Sequence, residues 1–340
     1  MNSAARVAGW VLLALLTAAT AGWGALALWF AGPTALGLNV ALGVCFALAG
    51  LVTLIALGIR RWRWRMVFIY VLLFVALLGW WSGIEPSNDR DWQTDVAVLP
   101  YATIDGDLVT VHHIRNFDYR SEFDYTPAYY DKQFDLRRLQ GVDLIASYWM
   151  GPAIAHIFLS FDFGGDDHLA ISIETRKERG EGFSSIKGFF RQYELYYVVA
   201  DERDVIRVRT NYRRDPPEQV YLFRALAPRE NIRRLFLSYM RQINALKAEP
   251  RFYNTLTTNC TTKIWLNSRV NPDHLPLRWQ VLLSGFLPRF LYDSGRLDSG
   301  GLSFEQLQRR SLINERAQAA DQAPDFSRRI RDTGASEPER

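Results

Sequence analysis

The chain has 340 residues, a formal net charge of +4, two cysteines, five histidines and 49% apolar residues. Five arginines and no acid precede Glu85, so the excess positive charge belongs to the N-terminal quarter and the remainder is close to neutral. No basic face with interleaved aromatics stands out, which argues against a nucleic-acid partner.

In chain order, no charged residue occurs between Arg6 and Arg60, far more than one bilayer crossing needs. Ala31-Gly32-Pro33-Thr34 breaks this run into candidate spans from Val7 to Phe30 and Ala35 to Ile59, and a third runs from Met66 to Ile84 after the Arg60 to Arg65 cluster. A cleaved signal peptide is the alternative for the first span, but the run is too long and two more follow. Arg6 and the Arg60 to Arg65 cluster predict a cytoplasmic N-terminus and an extracytoplasmic domain after Ile84, with Trp80 and Trp81 at the outer interface. The expected division is 1–84 as a three-helix anchor, 85–100 as a polar linker, 101–316 as the extracytoplasmic domain and 317–340 as a fraying tail.

The domain reads as α+β. Strands are expected at Leu108 to Ile114, Val142 to Met150, Ala155 to Phe163, His168 to Glu174, Tyr196 to Ala200, Asp204 to Thr210 and Gln219 to Arg224. Gly164-Gly165-Asp166-Asp167 joins two of them as a hairpin. Pro228 to Leu246 has the periodicity of an amphipathic helix, with Ile232, Leu235, Phe236 and Tyr239 on one face.

Cys260 is the domain's lone cysteine, in YNTLTTNCTTKIW. Asn259 is a strong N-cap residue, so Cys260 opens a helix, where the dipole and unpaired N–H groups favour thiolate. A small buried core cysteine is the competing reading. Thr258 and Asn259 are candidates to help an oxyanion hole, although capping alone accounts for them. His112 and His113 are strand neighbours expected on opposite faces, no histidine spacing resembles a zinc site, and neither metal nor cofactor is expected. His156, at the head of a strand after Gly151-Pro152, is the candidate base, against a plain hydrogen-bonded histidine. The next strand offers His168, Ser172 or Glu174 to orient it. Glu174 is preferred because a carboxylate best stabilises an imidazolium, against a surface ion pair with Arg176. Arg191 is a possible headgroup or peptide ligand, Arg115, Asn116 and Tyr119 a possible lining of the site, and the Asp201-Glu202-Arg203-Asp204 run a structural ion-pair network.

A histidine strand followed by a cysteine helix resembles the circularly permuted NlpC-type branch of the papain-like fold, which includes lecithin–retinol-acyltransferase-like enzymes. PSNDRDW (86–92), IRNFDYRS (114–121), AHIFLSF (155–161), ISIETRKE (171–178), FFRQYEL (189–195), VVADERD (198–204) and YNTLTTNCTT (253–262) together resemble the periplasmic domain of the Lnb-type lipoprotein N-acyltransferase family. The resemblance implies a membrane-anchored thiol acyltransferase. It would take an acyl chain from a phospholipid onto Cys260, with His156 as base, and pass it to the α-amine of a lipoprotein. A cysteine hydrolase acting on cell-wall or lipid amides and a non-enzymatic lipid-binding protein are the alternatives.

Overall fold

The structure, a computed structural model, describes residues 3–32 and 36–333. The chain divides into two compact units, Met1–Ser87 with Phe183–Tyr193, and Asn88–Gly182 with Glu194–Arg340.

The first unit contains three helices, α1 (Ser3–Ala31), α2 (Leu36–Leu57) and α3 (Arg63–Ser82), each long and apolar enough to cross a membrane. Their outer surfaces expose Leu15, Leu48, Ile55, Leu72 and Val75. This suits helices solvated by lipid, whose backbone bonds are satisfied internally. Ala21, Phe46, Tyr70 and Leu77 pack between them. Gly43 permits the close approach, since a Cβ there would meet the Ala25 carbonyl at 2.7 Å. Tyr70 shares a 2.8 Å hydrogen bond with Thr20, which settles a hydroxyl that lipid cannot. Arg63 lies 4.8 Å from the centre of the Trp10 ring. Pro33 and Thr34, half of the expected break between the first two spans, lie outside the described residues.

The second unit is built on strands β1 (Tyr101–Asp105), β2 (Leu108–Arg115), β3 (Asp118–Tyr119), β4 (Tyr125–Thr126), β5 (Tyr129–Asp135), β6 (Gly141–Tyr148), β7 (His156–Asp162), β8 (His168–Arg176), β9 (Glu194–Ala200) and β10 (Gln219–Arg224). Among the described residues an eight-stranded sheet runs β1-β2-β9-β8-β7-β6-β10, with β5 also paired to β2. The sheet is mixed, because β2 and β9 pair in parallel while the other neighbours are antiparallel. The class is α+β.

The β7–β8 hairpin turns where the sequence places it, with Gly164 and Gly165 at φ of 97° and 66°, a region that glycine enters without cost. Of helices α4 (Glu202–Arg207), α5 (Arg229–Ala248) and α6 (Cys260–Ser268), the last two cover one face of the sheet. There Phe161 packs edge-on against Phe236 and Tyr239, with ring centres 5.1 and 5.9 Å away. On the other face Phe158, Ala170, Tyr196 and Val198 meet Val205, Ile206, Ala317, Phe326 and Ile330.

Three expectations need correction. Asp204 to Thr210 is no strand: Glu202–Arg207 is α-helical and Val208–Tyr212 continues as a π-helical turn. The Asp201 side chain accepts from the Arg203 N–H and starts this helix, a local bond that outweighs the β-like alternation of DVIRVR. Residues 88–99 are ordered against the sheet, with Trp92 buried beneath the Arg176 guanidinium at 4.3 Å. The expected tail packs through Ile330, since Ala317, Phe326 and Ile330 are fully buried, and residues 334–340 lie outside the described residues.

Candidate active site

Strand register supplies the first half of the site. Leu159 pairs with Ile171 and Asp162 with His168. Continuing that register sets His156 opposite Glu174, with Ser172 its diagonal neighbour on the same face. His156 Nε2 lies 2.6 Å from Ser172 Oγ and 3.0 Å from Glu174 Oε1. Ser172 in turn donates to Glu174 Oε1 at 2.8 Å, so hydroxyl and carboxylate grip one ring nitrogen together. Nδ1 takes no part in this clamp.

The second half is the N-terminus of α6. Asn259 caps the helix by accepting from the Thr262 N–H at 2.8 Å and spends its amide N–H on the Thr255 carbonyl. Thr258 Oγ1 accepts from the Asn254 N–H at 2.6 Å. Both side chains are thus engaged in shaping the turn that presents Cys260. Cys260 itself is partly exposed, and its thiol lies close enough to His156 and the Ile157 backbone N–H for both to act on its acidity.

The electrostatics favour an ion pair. Burial alone pulls the His156 imidazole down, but the Glu174 carboxylate and the hydrogen bonds of Cys260 and Glu174 outweigh it and push the ring up to about 9. Burial raises the Cys260 thiol, yet the hydrogen bond and charge of His156 and the Ile157 N–H leave it below its ordinary value. Burial raises Glu174 too, but His156 and Arg209 hold it well below the usual carboxylate range. Both shifts act in the direction of a thiolate–imidazolium pair.

Arg209 is the residue that sequence reasoning missed. It is buried on the π-helical turn, donates to Glu174 Oε1 at 2.8 Å and lies 5.5 Å from the centre of the Phe158 ring. It fixes the carboxylate that fixes the imidazole. The signal was present: an Asp N-cap before ERDVIR marks a helix, which turns Arg209 toward the sheet. Arg176, the partner first considered for Glu174, points away and donates to the Val96 and Ala97 carbonyls.

The other candidates stand elsewhere. His168 is buried at the far end of β8, 3.5 Å from Asp162, and does not face His156. Arg191 belongs to the first unit, where it donates to the Trp81 carbonyl at 2.6 Å and the Ile84 carbonyl at 3.0 Å. Arg115 and Tyr119 both bond Asp204, and Glu202 bonds Arg331, so the Asp201 to Asp204 run is an ion-pair network. His112 and His113 both lie against Tyr101, at 4.3 and 5.4 Å, because the strand bulges there and breaks the alternation expected of neighbours.

A mostly apolar cavity of about 180 Å³ runs beside α6, lined by Leu144, Leu159, Leu235, Thr261, Ile264 and Trp265 among others. Thr261 places one of its walls immediately after the cysteine.

Residues 125–285 match the family model of the Lnb N-terminal periplasmic domain, a span that contains His156, Glu174 and Cys260. No curated protein and no solved structure matches the chain. The match supports the Lnb-type family and, with three apolar helices ahead of it, a membrane protein with a periplasmic domain.

Proposed function

We propose that this membrane protein is a thiol acyltransferase of papain-like, permuted NlpC-type architecture that moves an acyl chain from a phospholipid to an amine, with a lipoprotein N-terminus as acceptor. The Cys260 thiolate attacks an ester carbonyl of the lipid, and the charge on that oxygen falls near the N-terminus of α6. His156 gives its Nδ1 proton to the departing lysophospholipid oxygen, the ester C–O bond breaks, and a thioester remains on Cys260. An amine then attacks the thioester, His156 takes its proton, and the amide leaves while Cys260 returns as thiolate. Glu174 and Ser172 hold the ring for both proton transfers, and Arg209 holds Glu174.

The observation that carries this reading is the His156 ring clamped at Nε2 by Ser172 and Glu174 while it shares its charge with a cysteine at a helix N-terminus. The apolar cavity along α6 suits an acyl chain better than a peptide. Anchoring in the membrane suits a donor that never leaves it, and the positive charges at Arg6 and Arg60 to Arg65 favour a cytoplasmic N-terminus.

The test is intact mass of the full chain, in detergent or nanodiscs, after incubation with phospholipid. One acyl group on Cys260, removed by adding a diacylglyceryl-cysteine peptide with formation of its N-acyl product, is expected. Well-folded protein that never carries an acyl group would sink the reading, and release as free fatty acid alone would make the enzyme a hydrolase.

A further inference from the structure

The connection between β8 and β9 is not housed with the strands it joins. Phe183–Tyr193 belongs instead to the compact unit formed by the three N-terminal helices. Phe190 is buried there, with its ring centre 5.6 Å from Phe30 and 6.5 Å from Trp81. These two residues end α1 and α3, so the segment lies at one end of the helical unit. Arg191 stacks over the Trp81 ring at 4.9 Å and donates to the carbonyls of Trp81 and Ile84 at the end of α3. Phe190 and Arg191 thus pin the segment to the helix ends.

Its other large apolar side chains face outward. Phe183, Ile186 and Phe189 are 54%, 56% and 43% exposed, spaced three residues apart across a short turn at Lys187–Phe189. Three large apolar groups on one short segment are costly to leave in water. The surface they continue is that of α1 to α3, which is apolar and suited to lipid. Aromatic side chains with a nearby cation, here Lys187, have the composition of the interface between acyl chains and headgroups.

We infer that Phe183–Phe190 is an interfacial membrane insertion, with Phe183, Ile186 and Phe189 placed among the lipid acyl chains at the bilayer boundary. The occupant of this face is the bilayer itself, not a second protein. The helical unit then meets the lipid through this segment in addition to its three helices.

The full chain carrying Cys45→Ser and Cys260→Ser, reconstituted in nanodiscs of phosphatidylethanolamine and phosphatidylglycerol, tests this. Phe183→Cys, Ile186→Cys and Phe189→Cys are each labelled with a nitroxide, and Leu72→Cys in α3 gives the lipid reference. All these side chains are exposed, and among the described residues the only ring contact that a label disturbs is the stacking of Phe183 on Tyr193. Collision with oxygen exceeding collision with a water-soluble nickel chelate, at two or more of the three positions, is expected. Nickel collision dominating at two or more positions would overturn the insertion. So would poor access for both reagents, the signature of burial against another copy.

Discussion

The Nε2 atom of His156 and the hydroxyl oxygen of Ser172 lie 2.6 Å apart, and that hydroxyl donates its own hydrogen bond to Glu174. The imidazole is therefore held by a relay of two side chains from a single strand. Cys260→Ala is expected to abolish acyl-enzyme formation with little change in fold, since a small residue fits a helix N-terminus. His156→Ala should lower turnover by about 10² to 10⁴. Ser172→Ala should cost less, because Glu174 still reaches the ring. Turnover of the three variants, with circular dichroism as the control for folding, checks the order.

The pH profile tests the ion pair. His156 is raised to about 9, so the imidazolium persists up to about that pH, and the lowered Cys260 thiol ionises at lower pH than an ordinary one. The rate of enzyme acylation is expected to fall as pH rises through about 9, where the ring loses the proton it must deliver. It should fall on the acid side where the thiol reprotonates. Glu174→Gln removes the charge that raises His156, and should move the alkaline limb to lower pH. An unmoved limb would remove Glu174 from the role of orienting acid.

Arg209 has a measurable part in this. Arg209→Met deletes one charge-assisted hydrogen bond to Glu174, worth about 1.5–3 kcal/mol. If felt wholly in the transition state, that is roughly 10- to 100-fold in rate. Arg209→Lys should rescue only in part, because a point charge cannot reproduce the placement of a guanidinium. Steady-state kinetics on both variants, with the alkaline limb as a second readout, separate positioning from simple loss of stability.

Arg331 closes a buried cluster, reaching Asp143 at 2.7 Å and Glu202 at 2.7 Å. Arg331→Met should destabilise the second unit by about 3–5 kcal/mol, since it leaves buried Glu202 without its cation and Asp143 with Arg224 alone. Thermal unfolding followed by circular dichroism measures this. An unchanged midpoint would show that the residues after Ala317 are dispensable to the fold.

The orientation rests on arginine placement. A reporter active only outside the cytoplasm should work when fused after Arg340 and fail when inserted within Arg60 to Arg65. The reverse pattern would put Cys260 in a reducing compartment.

Several parts of this architecture were legible in the sequence because their signals are local. Alternation in HIFLSFD and the double glycine after it specify the β7–β8 hairpin, and Asn259 specifies where the cysteine helix starts. Glu174 was chosen on chemistry alone, and the pairing register explains why it stands opposite His156. What stayed hidden depends on long-range or ambiguous information. DVIRVR alternates as well as any strand, and only the Asp201 cap tips it into a helix. Arg331 answers a charge 188 residues earlier, which no local window contains. The tail's composition suggested fraying because Ala317, Phe326 and Ile330 are too widely spaced to advertise a buried face. Arg191 looked like a ligand for headgroup or peptide because its real acceptors are backbone carbonyls, which no side-chain pattern reveals.

The grouping of Phe183–Tyr193 with the N-terminal helices means that the polypeptide passes between the two units at three points, after Ser87, after Gly182 and after Tyr193. A protease cut after Ser87 would therefore leave the periplasmic domain still held by two strands of chain. A protein expressed from Asn88 onward, the natural choice for a soluble fragment, would carry Phe190 stripped of Phe30 and Trp81 beside three apolar neighbours. Such a fragment needs detergent, or a short polar bridge in place of 183–193, to remain in solution.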